Sequence, residues 1–477
     1  MITSGHESTP IQFGTDGWRG VIAADFTFAN VCRVARAIAA YLSTAYSQDR
    51  PVLVAYDTRF LADQFAVTAA EILAEAGWTV KLAEQSCPTP VIAFSARHLQ
   101  SAGALMFTAS HNPASYCGIK YIPDYAGPAT SEITNAIVAQ LPAASAIPPT
   151  GKAAHRISTF DPKPDYLQFI YSQLDVEQIR RSRFTVTYDA LYSNSYSYLS
   201  DALNHCGCVF DTLHSERDVL FGGGNPDPKG KQLAKLRRAV QQDGADLGMA
   251  TDGDGDRFGL VDEQGNIPTP NAILLMLTRH LIRHKGKTGA IARTVATTHL
   301  LDNLALKYGL DVYETPVGFK HIGQKMRETP VLIGGEESGG LSVIGHIPEK
   351  DGIFANLLVL EAIAFEGKPL SQLLQESIAE AGGPLLEHRI DMQLSHSQKS
   401  SILQFFTNQP PQSIAGLAVK QVGYKDGIKL YLENGDWILL RPSGTEPLLR
   451  VYLENRTEVD QAQIRNTITQ MIQEIPY

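Results

Sequence analysis

The chain has 477 residues, 44% of them hydrophobic and 19% charged. That length and balance fit a globular protein of about three or four domains and exclude a disordered chain. Lys and Arg number 41 against 50 Asp and Glu, a formal net charge of −9, which disfavours a general binder of nucleic acid or anionic membrane, because both need a positive field. No segment approaches the ~20 apolar residues of a membrane span, and Met1–Thr9 lacks the apolar stretch of a secretory signal. The five cysteines, Cys32, Cys87, Cys117, Cys206 and Cys208, form no Cys-x-x-Cys pair. Free thiols in a reducing cytoplasm are expected.

In chain order, Val52–Ala55 reads as a buried strand. Ala62–Ala76 reads as a helix from the spacing of Phe65, Ala69, Ile72, Leu73 and Ala76, and Val80–Ala83 and Ala104–Phe107 are further strands. This alternation predicts a parallel α/β sheet. The Ala-, Ser- and Pro-rich stretch Pro142–Pro149, continued by Gly151–His155, reads as a linker. A second α/β unit follows: strand Phe184–Tyr188, helix Ser195–Asn204, strand Cys208–Thr212, helix Gln232–Gln242 and strand Ala245–Met249. A third runs from helix Asn271–Arg283 through strands Ala290–Arg293, Val312–Glu314 and Val331–Ile333 to helix Gly352–Phe365. The last ~90 residues differ in pattern. Short strands at Leu417–Val422, Ile428–Leu432, Trp437–Arg441 and Leu449–Glu454, an Asn434-Gly435 turn and helix Val459–Ile472 predict an antiparallel α+β domain. The expected fold class is α/β, three similar domains with mixed parallel sheets at 1–145, 155–266 and 267–384, plus a C-terminal α+β domain at 385–477.

Five loops carry chemistry. Phe13-Gly14-Thr15-Asp16-Gly17-Trp18-Arg19-Gly20 sets Arg19 in a Gly frame that brings backbone close to an anion. Thr108-Ala109-Ser110-His111-Asn112-Pro113 follows a buried strand, so Ser110 lies at a strand's carboxyl end, where open α/β sheets bind ligands. A hydroxyl there is a candidate nucleophile, with His111 beside it and Lys120 ten residues on. Thr251-Asp252-Gly253-Asp254-Gly255-Asp256-Arg257 spaces three carboxylates by Gly to converge on one hard cation. As an EF-hand it fails, because Arg257 stands at the sixth position, where the turn needs Gly, although Glu263 falls at the twelfth. Three carboxylates suit Mg²⁺ completed by a substrate phosphate, and the loop is expected to be surface-built. Gly334-Gly335-Glu336-Glu337-Ser338-Gly339-Gly340 offers carboxylate and hydroxyl groups suited to sugar hydroxyls. Arg441-Pro442-Ser443-Gly444-Thr445-Glu446-Pro447 forms an anion nest. The nucleotide-phosphate motif Gly-x-x-x-x-Gly-Lys-[Ser/Thr] and the dinucleotide fingerprint are absent, so ATP and NAD have no signature.

These motifs, in this order and across nearly the whole chain, resemble the α-D-phosphohexomutase family of phosphoglucomutases and phosphomannomutases. The resemblance implies four domains around a central cleft and a phosphoserine enzyme. Ser110 would carry the transferable phosphoryl group and, with Asp252, Asp254 and Asp256, hold Mg²⁺. Lys120 would shuttle the proton, with His111, Arg19 and Arg257 bracing the phosphoryl group. Glu336 and Ser338 would bind sugar hydroxyls, Arg441, Ser443, Gly444 and Thr445 the distal phosphate, and Lys320 the substrate. The implied reaction interconverts glucose 1- and 6-phosphates, with mannose phosphates as further substrates, through a sugar 1,6-bisphosphate that also acts as activator. Small-molecule sugar phosphates are thus the expected partners, and nucleic acid and membrane are not.

The sequence departs from the family at three places. Cys117 stands where many members have Asn. The Gly-containing turn of the second domain is missing at Asp189–Ser193. Gly340 stands where phosphoglucosamine and some phosphomannose/phosphoglucose mutases have His, which favours glucose. The same residues would also serve a glucose 1,6-bisphosphate synthase. A non-catalytic sugar-phosphate-binding paralogue is the other alternative; Ser110, Lys120 and all three Asp being intact speak against it.

Overall fold

The computed structural model describes residues 11–14, 16–384, 386–443 and 448–475. Val52–Tyr56 and Gly103–Phe107 are almost wholly apolar and lie side by side, parallel, inside a seven-stranded sheet. Burial on both faces is what such uninterrupted runs require. The sheet order is Phe13–Gly14, Gly17–Val21, Tyr116–Pro123, Gly103–Phe107, Val52–Tyr56, Val80–Ala83, Ile157–Phe160. The last strand pairs parallel with Val80–Ala83, so the segment after the Pro142–Pro149 linker returns to the first sheet and does not open the second unit.

Two four-stranded sheets repeat the theme. In the second, Leu247–Thr251, Thr185–Asp189 and Val209–Leu213 run parallel, with Phe258–Val261 antiparallel at the edge. In the third, Val312–Thr315, Ala290–Thr294 and Val331–Gly335 run parallel, with Leu341–Val343 antiparallel. In each of the three sheets one parallel strand turns back into an antiparallel neighbour: Gly103–Phe107 into Tyr116–Pro123, Leu247–Thr251 into Phe258–Val261, Val331–Gly335 into Leu341–Val343. Those three connections are the Ser110, Asp252–Asp256 and Glu336 loops. The fourth sheet is antiparallel throughout, from Leu386–Gln393 to Ser413–Ile414.

The three α/β sheets share one continuous apolar core. Helix Gly352–Glu366, capped by Asp351 accepting from Phe354 N, is buried on every side from Gly352 to Ala364, as an all-round apolar helix must be. Its first residue bonds the Asp252–Asp256 loop, Gly352 N to Gly255 O at 3.0 Å. The C-terminal domain has its own core and docks on the third through a small cluster of Val295, Ala296, Trp437, Leu439 and Tyr452. Among the described residues no helix is long and apolar enough to cross a membrane.

A buried lysine sits in that docking surface. Lys429 Nζ donates to Val295 O and His299 Nε2, at 2.5 and 2.8 Å, and lies 3.9 Å from the Trp437 ring centroid. Burial, then Arg293, push its amine down to about 7, against the pull of Glu314, Glu454 and Asp302. The unfolded chain keeps that proton up to ~10.4. Between those values the unfolded state binds more protons, so stability rises with pH. The melting temperature should therefore rise more from pH 7 to 9 in the wild type than in Lys429→Met. Identical pH slopes would show that Lys429 stays charged in its site.

Candidate active site

The strand Gly103–Phe107 delivers Thr108, Ala109 and Ser110 into the interior. Ser110 has φ of 51°, a left-handed conformation that side chains rarely adopt. Its N–H donates to Thr108 Oγ1 at 2.9 Å, and its Oγ donates to Asp252 Oδ2 at 2.8 Å, with His111 Nδ1 3.4 Å away. The Asp252–Asp256 loop can come this close because residue 253 is glycine: a Cβ there would fall 2.5 Å from Ser110 O.

Asp252, Asp254 and Asp256 each offer a carboxylate oxygen within 4.8 Å of the others. The loop is not surface-built. The three residues are 0%, 0% and 1% exposed, because helix Gly352–Glu366 and the start of helix Thr89–His98 pack on it; Thr89 N donates to Asp254 O. Burial and the neighbouring Asp256 and Asp254 push the Asp252 carboxyl well above the usual range. Asp254 Oδ1 and Asp256 Oδ1 are buried without a hydrogen-bond partner among the described residues. Orphaned buried carboxylate oxygens are costly, and a cation bound there would satisfy them. The donor set, all carboxylate oxygen, fits a hard divalent ion.

Lys120 closes the cluster from strand Tyr116–Pro123. Its Nζ stands 2.8 Å from Asp16 Oδ2, 2.8 Å from Asp254 Oδ2 and 3.0 Å from Asp256 Oδ2. Burial opposes its charge, but these three carboxylates prevail and hold the ammonium well above its ordinary range. Lys350 approaches from the other side, 3.3 Å from both Asp256 Oδ2 and Glu349 Oε1. Desolvation would raise the half-buried Asp16 carboxyl, but Lys120 and Lys350 together hold it down at about 2.

Around this centre, Arg257 N donates to Asp252 Oδ1 at 3.0 Å and its guanidinium faces Asp227 at 3.9 Å. Arg19 Nη1 donates to Asn112 Oδ1 at 2.6 Å, beside the serine loop. Burial, Arg257 and Arg19 keep the His111 imidazole far below its ordinary value, so it is neutral at pH 7. Glu336 is buried and accepts from Gly318 N at 2.9 Å; burial pushes its carboxyl up to about 7. Ser338 lines a cavity of about 600 Å³ shared with Glu337, Arg389 and Tyr452. Lys320 donates to Ser131 Oγ at 3.1 Å, on the first domain, rather than to the cluster of Ser110 and the three Asp. Arg441 Nε donates to Asp426 Oδ2, which also accepts from Val317 N, tying its strand to the segment before Lys320. Ser443 is buried. Gly444 and Thr445 lie outside the described residues.

Sequence reading passed over Asp16, Lys350, Glu349 and Arg59. Asp16 was visible only as part of a Gly-rich turn, and Lys350 only as one charge in Pro348-Glu349-Lys350-Asp351, where a solvated run is the ordinary reading. Arg59, Glu349 and Lys350 are buried by tertiary packing, and Asp16 is half-buried beside them.

Four models of the phosphoglucomutase/phosphomannomutase family match the chain: alpha/beta/alpha domain I over residues 10–147, domain II over 164–265, domain III over 269–381 and the C-terminal domain over 407–471. The chain belongs to this family. It is a phosphohexomutase, an isomerase that moves a phosphoryl group within a sugar phosphate. The phosphoglucosamine mutase of Natranaerobius thermophilus is 30% identical over 476 residues, 97% of this chain and 99% of that one. The phosphoglucomutase/phosphomannomutase of Thermococcus kodakarensis is 28% identical over 94% of this chain and 95% of its own. A solved Thermus thermophilus protein, provisionally named phosphomannomutase, superposes with TM-score 0.86 at 33% identity, covering 98% of this chain and all of that one. These relatives carry different sugar names, so the phosphohexomutase assignment leaves the sugar open.

Proposed function

We propose that this phosphohexomutase interconverts glucose 1-phosphate and glucose 6-phosphate, accepts mannose phosphates as well, and works through phospho-Ser110 and a sugar 1,6-bisphosphate. The observation that carries the reading is the hydrogen bond from Ser110 Oγ to Asp252 in a buried cluster with Lys120. Asp252, Asp254 and Asp256, with an oxygen of the phosphoserine, would hold Mg²⁺, which supplies charge neutralisation to the phosphoryl oxygens. Lys120 carries the proton to Ser110 Oγ as the phosphoryl group leaves it, and regains one from the attacking sugar hydroxyl. Arg19, Arg257 and neutral His111 donate to the phosphoryl oxygens. Glu336 and Ser338 orient sugar hydroxyls, and Lys320 contacts the substrate from beside the first domain. Arg441, Ser443, Gly444 and Thr445 hold the phosphate that does not react.

Gly340 supports glucose over an amino sugar. A Cβ at residue 340 would fall 2.3 Å from Lys350 Cδ. The aliphatic stem of Lys350 thus fills the room that a larger residue at 340 would take. Turnover of glucose, mannose and glucosamine 1-phosphates by purified protein, with and without glucose 1,6-bisphosphate, tests the reading. A higher kcat/KM on glucosamine 1-phosphate would overturn the sugar. Net accumulation of bisphosphate from another bisphosphate donor, without isomerisation, would replace the mutase by the synthase.

Arg441→Ala should raise KM for the sugar phosphate, because a charge-assisted contact worth ~1.5–3 kcal/mol is present in ground and transition states alike. It should lower kcat less than Ser110→Ala does and release more bisphosphate into solution. An unchanged KM with no released bisphosphate would take the distal phosphate away from this loop.

A further inference from the structure

The serine loop is held by one side chain. Arg59 is fully buried, and its guanidinium spends every N–H. Nε donates to Asp57 Oδ2 at 3.1 Å, Nη1 to Pro113 O and Tyr116 O at 2.8 and 2.9 Å, and Nη2 to Ser110 O and Asn112 O at 2.6 and 2.7 Å. Four carbonyls of residues 110–116 therefore converge on one cation. Asp57 completes the hold: its Oδ2 accepts from Thr108 Oγ1 at 2.6 Å, and that oxygen accepts the N–H of Ser110. Both backbone polar groups of Ser110 thus trace to the Asp57–Arg59 pair. A five-donor planar fork can meet such a set of acceptors; an ammonium cannot.

The pair is in turn clamped from the second domain. The Phe221 ring lies with its centroid 4.9 Å from Arg59 Cζ. Arg217 donates to the backbone carbonyls of Thr58 and Arg59 at 3.2 and 3.4 Å, and Thr58 Oγ1 donates to Tyr192 O at 2.9 Å. The two segments that supply these contacts hold four non-glycine residues at positive φ: Leu191 at 47°, Tyr192 at 61°, His214 at 47° and Phe221 at 51°. They face each other, with Tyr192 N bonded to His214 O at 2.9 Å and their rings 4.6 Å apart. Leu191 and Tyr192 lie where the sequence has lost the second domain's usual glycine. Backbone strain of this kind persists only where surrounding contacts over-determine it, and it concentrates at functional sites.

We propose that Arg59 is the positioning residue of the phosphoryl-carrying loop, and that Tyr192, Arg217 and Phe221 form a brace from the second domain that fixes Arg59. The inference rests on Ser110 as the phosphoryl carrier. Ser110 must present its Oγ at one point for two transfers of opposite direction, and in-line displacement tolerates little misplacement. The brace also couples the serine loop, on the first sheet, to the sheet that carries the metal loop.

The test is single-turnover phosphorylation by glucose 1,6-bisphosphate, followed by intact mass and site mapping, alongside steady-state kcat and KM and the melting temperature. Arg59→Lys keeps the charge and loses the fork; its phosphorylation rate and kcat should fall by about 100-fold, with KM within about twofold. Arg217→Gln and Phe221→Leu lie away from the serine and keep most of the packing. They should fold and show the same split at about tenfold. Should Arg59→Lys not fold, these two variants decide. Folded Arg217→Gln and Phe221→Leu proteins that phosphorylate Ser110 at the wild-type rate overturn the brace. So does a fall in melting temperature with no change in the phosphorylation rate, which is the mark of a merely structural role. Wild-type protein phosphorylated at another residue overturns instead the reading on which the brace rests.

Discussion

Ser110→Ala is expected to leave a folded protein that can no longer be phosphorylated and whose mutase turnover falls by at least about 10³-fold. Ser110 Oγ is buried, its partner is Asp252 Oδ2, and the backbone that presents it is already fixed by Thr108 and Arg59. Alanine removes one oxygen and leaves those backbone bonds in place. Asp252 keeps the N–H of Arg257 on its other oxygen, so the cluster loses one donor and remains organised. Intact-mass measurement after incubation with glucose 1,6-bisphosphate reads the outcome directly. If the alanine protein gains phosphate as fully as the wild type, the carrier lies elsewhere and the proposed mechanism fails.

The parts of the site legible in the sequence were those whose chemistry is local. A strand followed by Ser-His-Asn, three Asp spaced by Gly, and a Gly-framed Glu-Glu-Ser each announce a loop at a strand end, and the three loops do follow Phe107, Thr251 and Gly335. The strands themselves were legible where they are buried on both faces, as at Val52–Tyr56 and Val331–Gly335. Leu386–Gln393 was not, because Glu387, His388, Arg389 and Asp391 dilute its apolar alternation, and it is held by its ladder to Leu448–Asn455. The helix Phe28–Ala45 escaped for another reason. Its period was there to read, in Val31, Val34, Ala35, Ile38 and Leu42 along one buried face, and was passed over.

The groups that organise the centre were hidden because their burial is tertiary. Arg59 reads as one charge in a turn, and only the fold shows four carbonyls aimed at it. The same holds for the surface-built expectation of the metal loop. Loops usually lie at the surface, but here three α/β sheets share one core and their carboxyl-end loops meet inside it. The missing glycine at Asp189–Ser193 reads in the sequence as a local irregularity. In the structure it is a pair of left-handed residues pressed against Thr58 and His214.

That burial changes how the metal site must be probed. Asp254 Oδ2 accepts from Thr89 Oγ1 and Lys120 Nζ, while Oδ1 has no partner among the described residues. Alanine would remove both acceptors and open a void beside Lys120, so lost activity could come from lost structure. Asp254→Asn keeps the volume and an acceptor for Thr89, and removes one charge. Lys120 retains Asp16 and Asp256, so the fold should lose little. Five carboxylates, those of Asp16, Asp252, Asp254, Asp256 and Glu349, surround Lys120, Lys350 and Arg257, a surplus of negative charge that a divalent cation would relieve. The Asn variant should therefore need at least about 100-fold more Mg²⁺ for half-maximal turnover. Wild-type protein dialysed against EDTA should lose activity and regain it on adding Mg²⁺. Full activity after EDTA, or an Asn variant that saturates at the wild-type Mg²⁺ concentration, would show that Lys120, Lys350 and Arg257 suffice to hold the cluster and that no catalytic ion binds there.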